Sequence, residues 1–356
     1  MAVEAKPESP APIGGARRVN RPSVLSIIGL VFAGLFVLVL LRNFISDPQE
    51  FINVTLIGFT TGCVFAIVAL GYTLVYGILQ LINFAHGDVF ALSGLFASTI
   101  MISVLNLSGD EAVVVVIIGI GATLLITAAF SSSLNASIEF LAYRRLRRQP
   151  RLTMLISAVG MSFIVQNISL YFYGVGFYRA PDGLVPTGAA FTIGEVSLGW
   201  DKVVVILITV PLLLVLTWLV RSTKQGKGMR AVAQDQDAAA MMGINVNRTI
   251  SFTFLLAGGL AGFAGVMFLL QFQMRYDTGF ELGLIAFTAA VLGGIGNLAG
   301  AALGGILIGC IQAWNEGLEH WTLGGDWTRS MVFGILIAIL VFRPEGLLGE
   351  RTPEGA

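Results

Sequence analysis

Three stretches of this chain gather glycine and polar residues that an otherwise apolar sequence has few of, and their spacing suits binding rather than covalent chemistry. The first reads Gly71-Tyr72-Thr73-Leu74-Val75-Tyr76-Gly77-Ile78-Leu79-Gln80-Leu81-Ile82-Asn83-Phe84-Ala85-His86-Gly87-Asp88. Hydrophobicity falls here between two apolar segments, without a charged loop. Irregular backbone near a membrane is tolerated only where protein or a water-filled cavity satisfies its polar groups. Broken helices of this kind line solute sites, and half-helix N-termini face anionic groups. Tyr76, Asn83, His86, Gly87 and Asp88 are therefore candidate pathway residues. A tight turn in which Asn83 or Asp88 caps the next helix fits the same residues, and the two readings stay open.

The second stretch runs from Gly226 to Asn245, and its middle is an alanine-rich helix of strong intrinsic propensity. Gly243 is placed to end it. Ala238, Met241 and Met242 share a face by three-to-four spacing, with Ala231 and Asp235 a turn or so earlier. A small, soft apolar face on a short helix suits docking into a partner's groove; packing on its own bundle is the alternative. The third stretch, Leu292-Gly293-Gly294-Ile295-Gly296-Asn297, interrupts an apolar region at 281–315. It predicts two short helices, tilted or re-entrant, hinged at the glycines. Gly258, Gly262 and Gly265, then Gly300, Gly304, Gly305 and Gly309, have the spacing that lets membrane helices approach closely.

Covalent catalysis has little to work with. The whole chain has two histidines, His86 and His320, and two cysteines, Cys63 and Cys310, both in apolar stretches. A metal site, a Ser/His/Asp triad or a disulfide framework is hard to build from these. No Walker motif occurs, so any ATP hydrolysis belongs to other subunits. No cofactor is expected, and the protein is not expected to be an enzyme.

The elements that must position these stretches follow from composition. Of 356 residues, 56% are hydrophobic and 12% charged, about half the charge of a soluble domain. Such a chain cannot cover a folded surface with charge and must face lipid. Its long apolar runs predict an all-α, polytopic transmembrane helical bundle rather than a barrel of short alternating strands. About eight full spans are expected, near 24–41, 51–73, 88–106, 112–135, 152–174, 202–220, 251–271 and 329–343, plus the broken pair. A zero net charge implies no nucleic-acid partner. Residues 1–22 and 350–356 read as cytoplasmic tails, the first disordered, around a membrane domain at 23–349. Asp88, Glu139 and Glu281 fall near the ends of these spans, so no carboxylate is expected at mid-depth, which argues against an ion-coupled secondary transporter. The loop at 175–200 carries a short hairpin at most and is too small to capture a solute by itself.

The run at 71–77, the segment Ile82-Asn83-Phe84-Ala85-His86-Gly87-Asp88, the glycine segment at 292–297 and Arg343-Pro344-Glu345-Gly346-Leu347-Leu348-Gly349 occur in the order found in a known family. The chain resembles the permease subunits of bacterial branched-chain amino acid ABC importers. That resemblance implies a second permease subunit, two ATPase subunits, an extracytoplasmic solute-binding protein and a place in the inner membrane. It also implies that the loop at 221–250 couples to the ATPase, through Arg230, Asp235, Ala238, Ala239, Met242 and Gly243. It puts Gly293, Gly294, Gly296 and Asn297 beside the 76–88 segment on the solute pathway. The family includes permeases for urea and other small amides or acids, and these remain alternatives for the solute. The first 22 residues and the region 314–329 match nothing in the family.

The Lys/Arg bias of the loops gives the orientation. With the N-terminus inside, only Arg42, Arg179, Lys202, Arg275 and Arg329 of the 21 basic residues fall outside. Both tails and the loops at 144–151 and 221–250 are then cytoplasmic. In a background lacking Cys63 and Cys310, an impermeant thiol reagent applied to intact cells should label Asp182→Cys and spare Gln234→Cys. The opposite pattern would invert the topology.

Overall fold

The computed structural model describes residues 24–349 apart from 110, 148, 187, 194–195 and 320–323. The two predicted tails, His320 and Trp321 lie outside the described residues. Twelve α-helices appear among those described: α1 (Val24–Ser46), α2 (Pro48–Leu79), α3 (Ala85–Thr99), α4 (Val113–Ile138), α5 (Arg151–Tyr173), α6 (Trp200–Ser222), α7 (Lys224–Gln234), α8 (Gln236–Met241), α9 (Val246–Gln271), α10 (Thr278–Gly293), α11 (Leu298–Gly317) and α12 (Thr328–Phe342). π-turns extend α3 to Val104 and α4 to Tyr143. The protein is thus a polytopic helical bundle, with eight described helical segments long and apolar enough to cross a membrane. The one sheet among the described residues is the expected hairpin, β1 (Ala189–Ile193) against β2 (Val196–Gly199).

Local chemistry sets where the helices start and stop. Asp47 caps α2 by accepting from the amides of Gln49 and Glu50 at 3.0 and 2.9 Å, with Pro48 at the first position. Gln80, at φ 52°, ends it. The helix therefore runs on through Tyr76 and Gly77, and the irregular backbone is confined to 80–84 rather than spread over 76–88. Gly71 does not bend the chain; it leaves room for the His86 ring. The segment after α6 also departs from expectation, being two helices instead of one. Asp235 sits in extended backbone between α7 and α8, and its carboxylate accepts from the amides of Asp237 and Ala238 at 2.8 and 2.9 Å. Capping by Asp outweighs the alanine propensity on either side. Gly243, at φ 82°, follows the end of α8 as predicted.

Close backbone approach holds the interior together. α11 lies along α2, where an added Cβ at Gly58 would meet the Cα of Cys310 at 2.6 Å and one at Gly62 the Cα of Ile306 at 2.6 Å. α9 meets α4 in the same way at Gly258 and Gly262, and α3 at Gly265. With no hydrophobic drive between helices in lipid, such contacts supply the packing. Only one member of the expected short pair is short: α10 has 16 residues, while α11 has 20. Their hinge turns at Gly294 and Gly296, with φ of 105° and 97°.

Contacts between chain ends sort the loops onto two faces. One face holds the 80–84 turn, the end of α4, α7 and α8, the 294–297 hinge and the chain after α12. The amides of Leu347 and Leu348 donate to the carbonyls of Leu292 and Gly293 at 2.8 and 3.0 Å, and the Asn297 amide donates to the Leu348 carbonyl at 2.8 Å. The other face joins Tyr178 to Met274 and Glu281 to Arg329. α10 and α11 therefore reach from one face to the other instead of re-entering. The first face carries Arg144, Arg145, Arg147, Lys224, Lys227, Arg230, Arg248 and Arg343, and is called the arginine-rich face below.

The packing yields a stability prediction. Gly62→Ala would press a methyl into the α11 backbone and should destabilise the bundle by about 1–3 kcal/mol. Gly121→Ala, where nothing lies within 4 Å, should be neutral or stabilising by up to about 1 kcal/mol. Thermal unfolding of the two variants in detergent checks this, and equal melting temperatures would contradict it.

Candidate functional site

α3 begins inside the bundle, and its first turn brings Asp88 to the middle of α5. Ser162, the central residue of the 23-residue α5, donates its hydroxyl to Oδ2 of Asp88. Gly87 lies against Gly283 of α10, ten residues before that helix ends at Gly293, which is about 15 Å from the arginine-rich face at 1.5 Å per residue. Two glycines make this crossing possible, since an added Cβ at Gly283 would come to 2.9 Å of the Gly87 Cα. Asp88 is therefore near the end of its own helix and at mid-depth in the bundle, which overturns the expectation that no carboxylate lies there. Glu281 does keep to the edge, exposed beside Arg329.

Around this helix start the fold gathers buried polar side chains. Asn83, His86 and Asp88 are 4%, 0% and 1% exposed. The Tyr143 hydroxyl donates to Oδ1 of Asn83 at 2.7 Å, and the backbone amide of His86 donates to the Asn83 carbonyl at 3.1 Å. The His86 ring stands edge-on to Tyr72 with centroids 4.8 Å apart, beside the Val68 carbonyl. No side chain caps α3, so the tight-turn reading with an Asn83 or Asp88 cap does not describe it. Nδ2 of Asn83 and Oδ1 of Asp88 have no hydrogen-bond partner. An adjoining slot of about 10 Å³ is lined by Val75, Leu79, Leu81, Ile82, Asn83, Tyr143, Met154, Ala158 and Phe254. Spare donors, a spare acceptor and an apolar slot can bind a small polar solute and offer nothing for bond making.

The structure brings Asn83, His86, Gly87 and Asp88 together and leaves the other predicted pathway residues apart. Tyr76 is half-buried toward the end of α2, and an added Cβ at Gly77 would lie 4.0 Å from the Cα of Gly296. Gly293 packs on Gly300, Gly294 packs on Gly349, and Asn297 binds the Leu348 carbonyl. In this arrangement the 293–297 hinge is clasped by residues 343–349, because the open carbonyls at the end of α10 take their amides from that segment.

The predicted coupling residues separate in the same manner. Met241 and Met242 are each 83% exposed, Ala238 is half-buried and Ala239 is 4% exposed, turned into its own bundle. Arg230 donates to the carbonyls of Val220 and Arg221, satisfying the end of α6. Asp235 is the cap described above.

One cluster gave no signal in the sequence. Glu139 is fully buried in the π-turn that ends α4, where Arg144 donates to it at 3.2 and 3.0 Å, Arg147 also donates, and the Ser251 hydroxyl donates at 2.7 Å. Arg147 reaches on to Asn247 at 2.8 Å. Burial pushes the Arg147 guanidinium below its ordinary value, and Glu139 opposes that shift. Separations of five and eight residues do not put these side chains on one α-helical face; the wider π-turn does. The cluster ties α4 to the first turns of α9, directly after α8.

Residues 54–341 match the family described as branched-chain amino acid transport system / permease component. The chain is 36% identical over 311 residues to the high-affinity branched-chain amino acid transport system permease protein BraD of Pseudomonas aeruginosa, covering 86% of this chain and 97% of that one. It is 35% identical over 319 residues to LivH of Escherichia coli, a permease of the same description, covering 88% and 99%. LivH of Methanocaldococcus jannaschii, a probable branched-chain amino acid transport permease, is 26% identical over 304 residues. With the family matched over most of its length and near-complete relatives above 30% identity, this chain belongs to the branched-chain amino acid transport permeases.

Proposed function

We propose that this chain is the transmembrane permease subunit of an ATP-binding-cassette importer that moves branched-chain amino acids into the cytoplasm. It works in a bacterial inner membrane with a second permease subunit, two ATPase subunits and an extracytoplasmic solute-binding protein. The arginine-rich face is cytoplasmic, as the positive-inside rule requires, and both termini lie there. The names of the relatives support the amino-acid class over urea and other small amides.

The observation that carries the reading is the exposed Met241–Met242 pair on α8, on the arginine-rich face. Two large flexible apolar side chains left in water suit a partner's groove. α8 leads through Gly243 into α9, whose first turns are bound to α4 by the Glu139 cluster. A push on α8 is thus passed to two membrane helices as a rigid-body movement. Asp88 at mid-depth removes one sequence argument against an ion-coupled transporter; membership of the permease family is what favours ATP drive.

Replacing both Met241 and Met242 with Glu should abolish leucine uptake and co-purification of the ATPase subunits, since an unpaired charge in such a groove costs several kcal/mol. Membrane insertion should survive, because neither side chain is buried in this chain. Ala239→Glu is not an equivalent test, as it would bury a charge in the permease itself. Uptake at the wild-type rate in the double variant would refute the coupling role.

A further inference from the structure

We propose that Asp88 is the counter-charge for the ammonium group of the transported amino acid, while the Asn83 side-chain amide faces its carboxylate. The inference rests on the permease reading above and names the ligand chemistry of the same site. Asp88 is 1% exposed at mid-depth. Its Oδ2 accepts from Ser162, its Oδ1 has no donor, and none of the ion pairs among the described residues includes it. A carboxylate buried without a cation is costly, and the contrast with Glu139, held by two arginines, shows what a purely structural carboxylate receives here.

Five residues before Asp88, Nδ2 of Asn83 is likewise buried without an acceptor. A spare acceptor and spare donors at one helix start match the two ends of a zwitterion. The adjoining slot, walled by Val75, Leu79, Met154, Ala158 and Phe254, suits an aliphatic side chain. At about 10 Å³ it holds at most a water, so the site is closed in this arrangement. Met154, Ala158 and Ser162 all belong to α5, which packs chiefly on α3 and the π-turn of α4. Movement of α5 away from α3 therefore widens the slot and withdraws Ser162 from Asp88 together. Urea can donate a hydrogen bond to Asp88 but carries no positive charge, so this residue favours amino acids over urea.

The test uses the whole transporter, with its partner permease, ATPase subunits and solute-binding protein, reconstituted in vesicles and assayed with radiolabelled leucine. Asp88→Asn keeps an acceptor for Ser162 and removes the charge. Leucine uptake should fall about tenfold or more, the scale of losing a hydrogen bond to a charged group, and Asp88→Glu should retain part of it. Equal uptake by wild type and Asp88→Asn overturns the inference and leaves the permease reading standing. Absence of leucine uptake by the wild type overturns that reading, and the inference with it. If Asp88→Asn fails to assemble, carbodiimide labelling of Asp88 in the wild-type complex during turnover decides instead. Leucine should slow the labelling, and labelling unchanged by leucine overturns the inference.

Discussion

A helix that starts inside a membrane bundle leaves its first amides without intrahelical partners, and neighbouring groups must satisfy them where no water is at hand. Much of this structure answers that constraint at Ala85. Within the turn at 80–84 only Asn83 is buried, beside a slot lined by Val75, Leu79, Met154, Ala158 and Phe254. Glycines at 87, 279 and 283 let α10 close over the helix start at backbone distance, and Gly71 opens a place for His86 beside Tyr72. What the protein does not supply is a side-chain cap, a partner for the Asn83 amide or a cation for Asp88. The protein around them is tightly packed, and these atoms, with both His86 ring nitrogens and the Thr73 hydroxyl, are among the buried polar atoms left over. Unpartnered groups of opposite hydrogen-bonding character gathered at one helix start are what the proposed solute site requires.

The arginine-rich face treats its polar groups in the opposite way. Glu139 is satisfied by Arg144, Arg147 and Ser251. The end of α10 is satisfied by Leu347 and Leu348, and the end of α6 by Arg230. The Ser251–Glu139 and Arg147–Asn247 bonds join α9 to the end of α4, Leu347 and Leu348 join the chain after α12 to α10, and Arg230 binds α7 to α6. A rigid collar of this kind under a loosely held α5 is the mechanical arrangement a coupled permease needs, because force applied at α8 must not be lost in local bending.

Much of the fold was legible in the sequence because each apolar run is close to the length a bilayer requires. The helices at 151–173, 200–222 and 328–342 fall within two residues of their predicted spans. Depth was not legible. Hydropathy marks where a helix is, not the level at which it begins beside its neighbours, and so Asp88 read as peripheral. Glycine was also ambiguous: at 294 and 296 it turns the chain, while at 71, 87 and 293 it admits another element. Asp235 was read as part of a helical face, although an Asp able to cap the next two amides competes with the helix through it. Glu139 gave no signal, since a π-turn shifts its partners off the usual spacing. The clasp by residues 343–349 joins segments about fifty residues apart, which no local pattern announces.

The central claim is that the polar cluster at the start of α3 is where the solute sits at mid-membrane. A cryo-electron microscopy structure of the assembled transporter trapped with leucine tests it most directly. The account predicts leucine between α3 and α5, its ammonium on Asp88, its carboxylate on the Asn83 side-chain amide, with Ser162 drawn away. Leucine bound elsewhere, with Ser162 still on Asp88 and the slot beside Asn83 still closed, would contradict it.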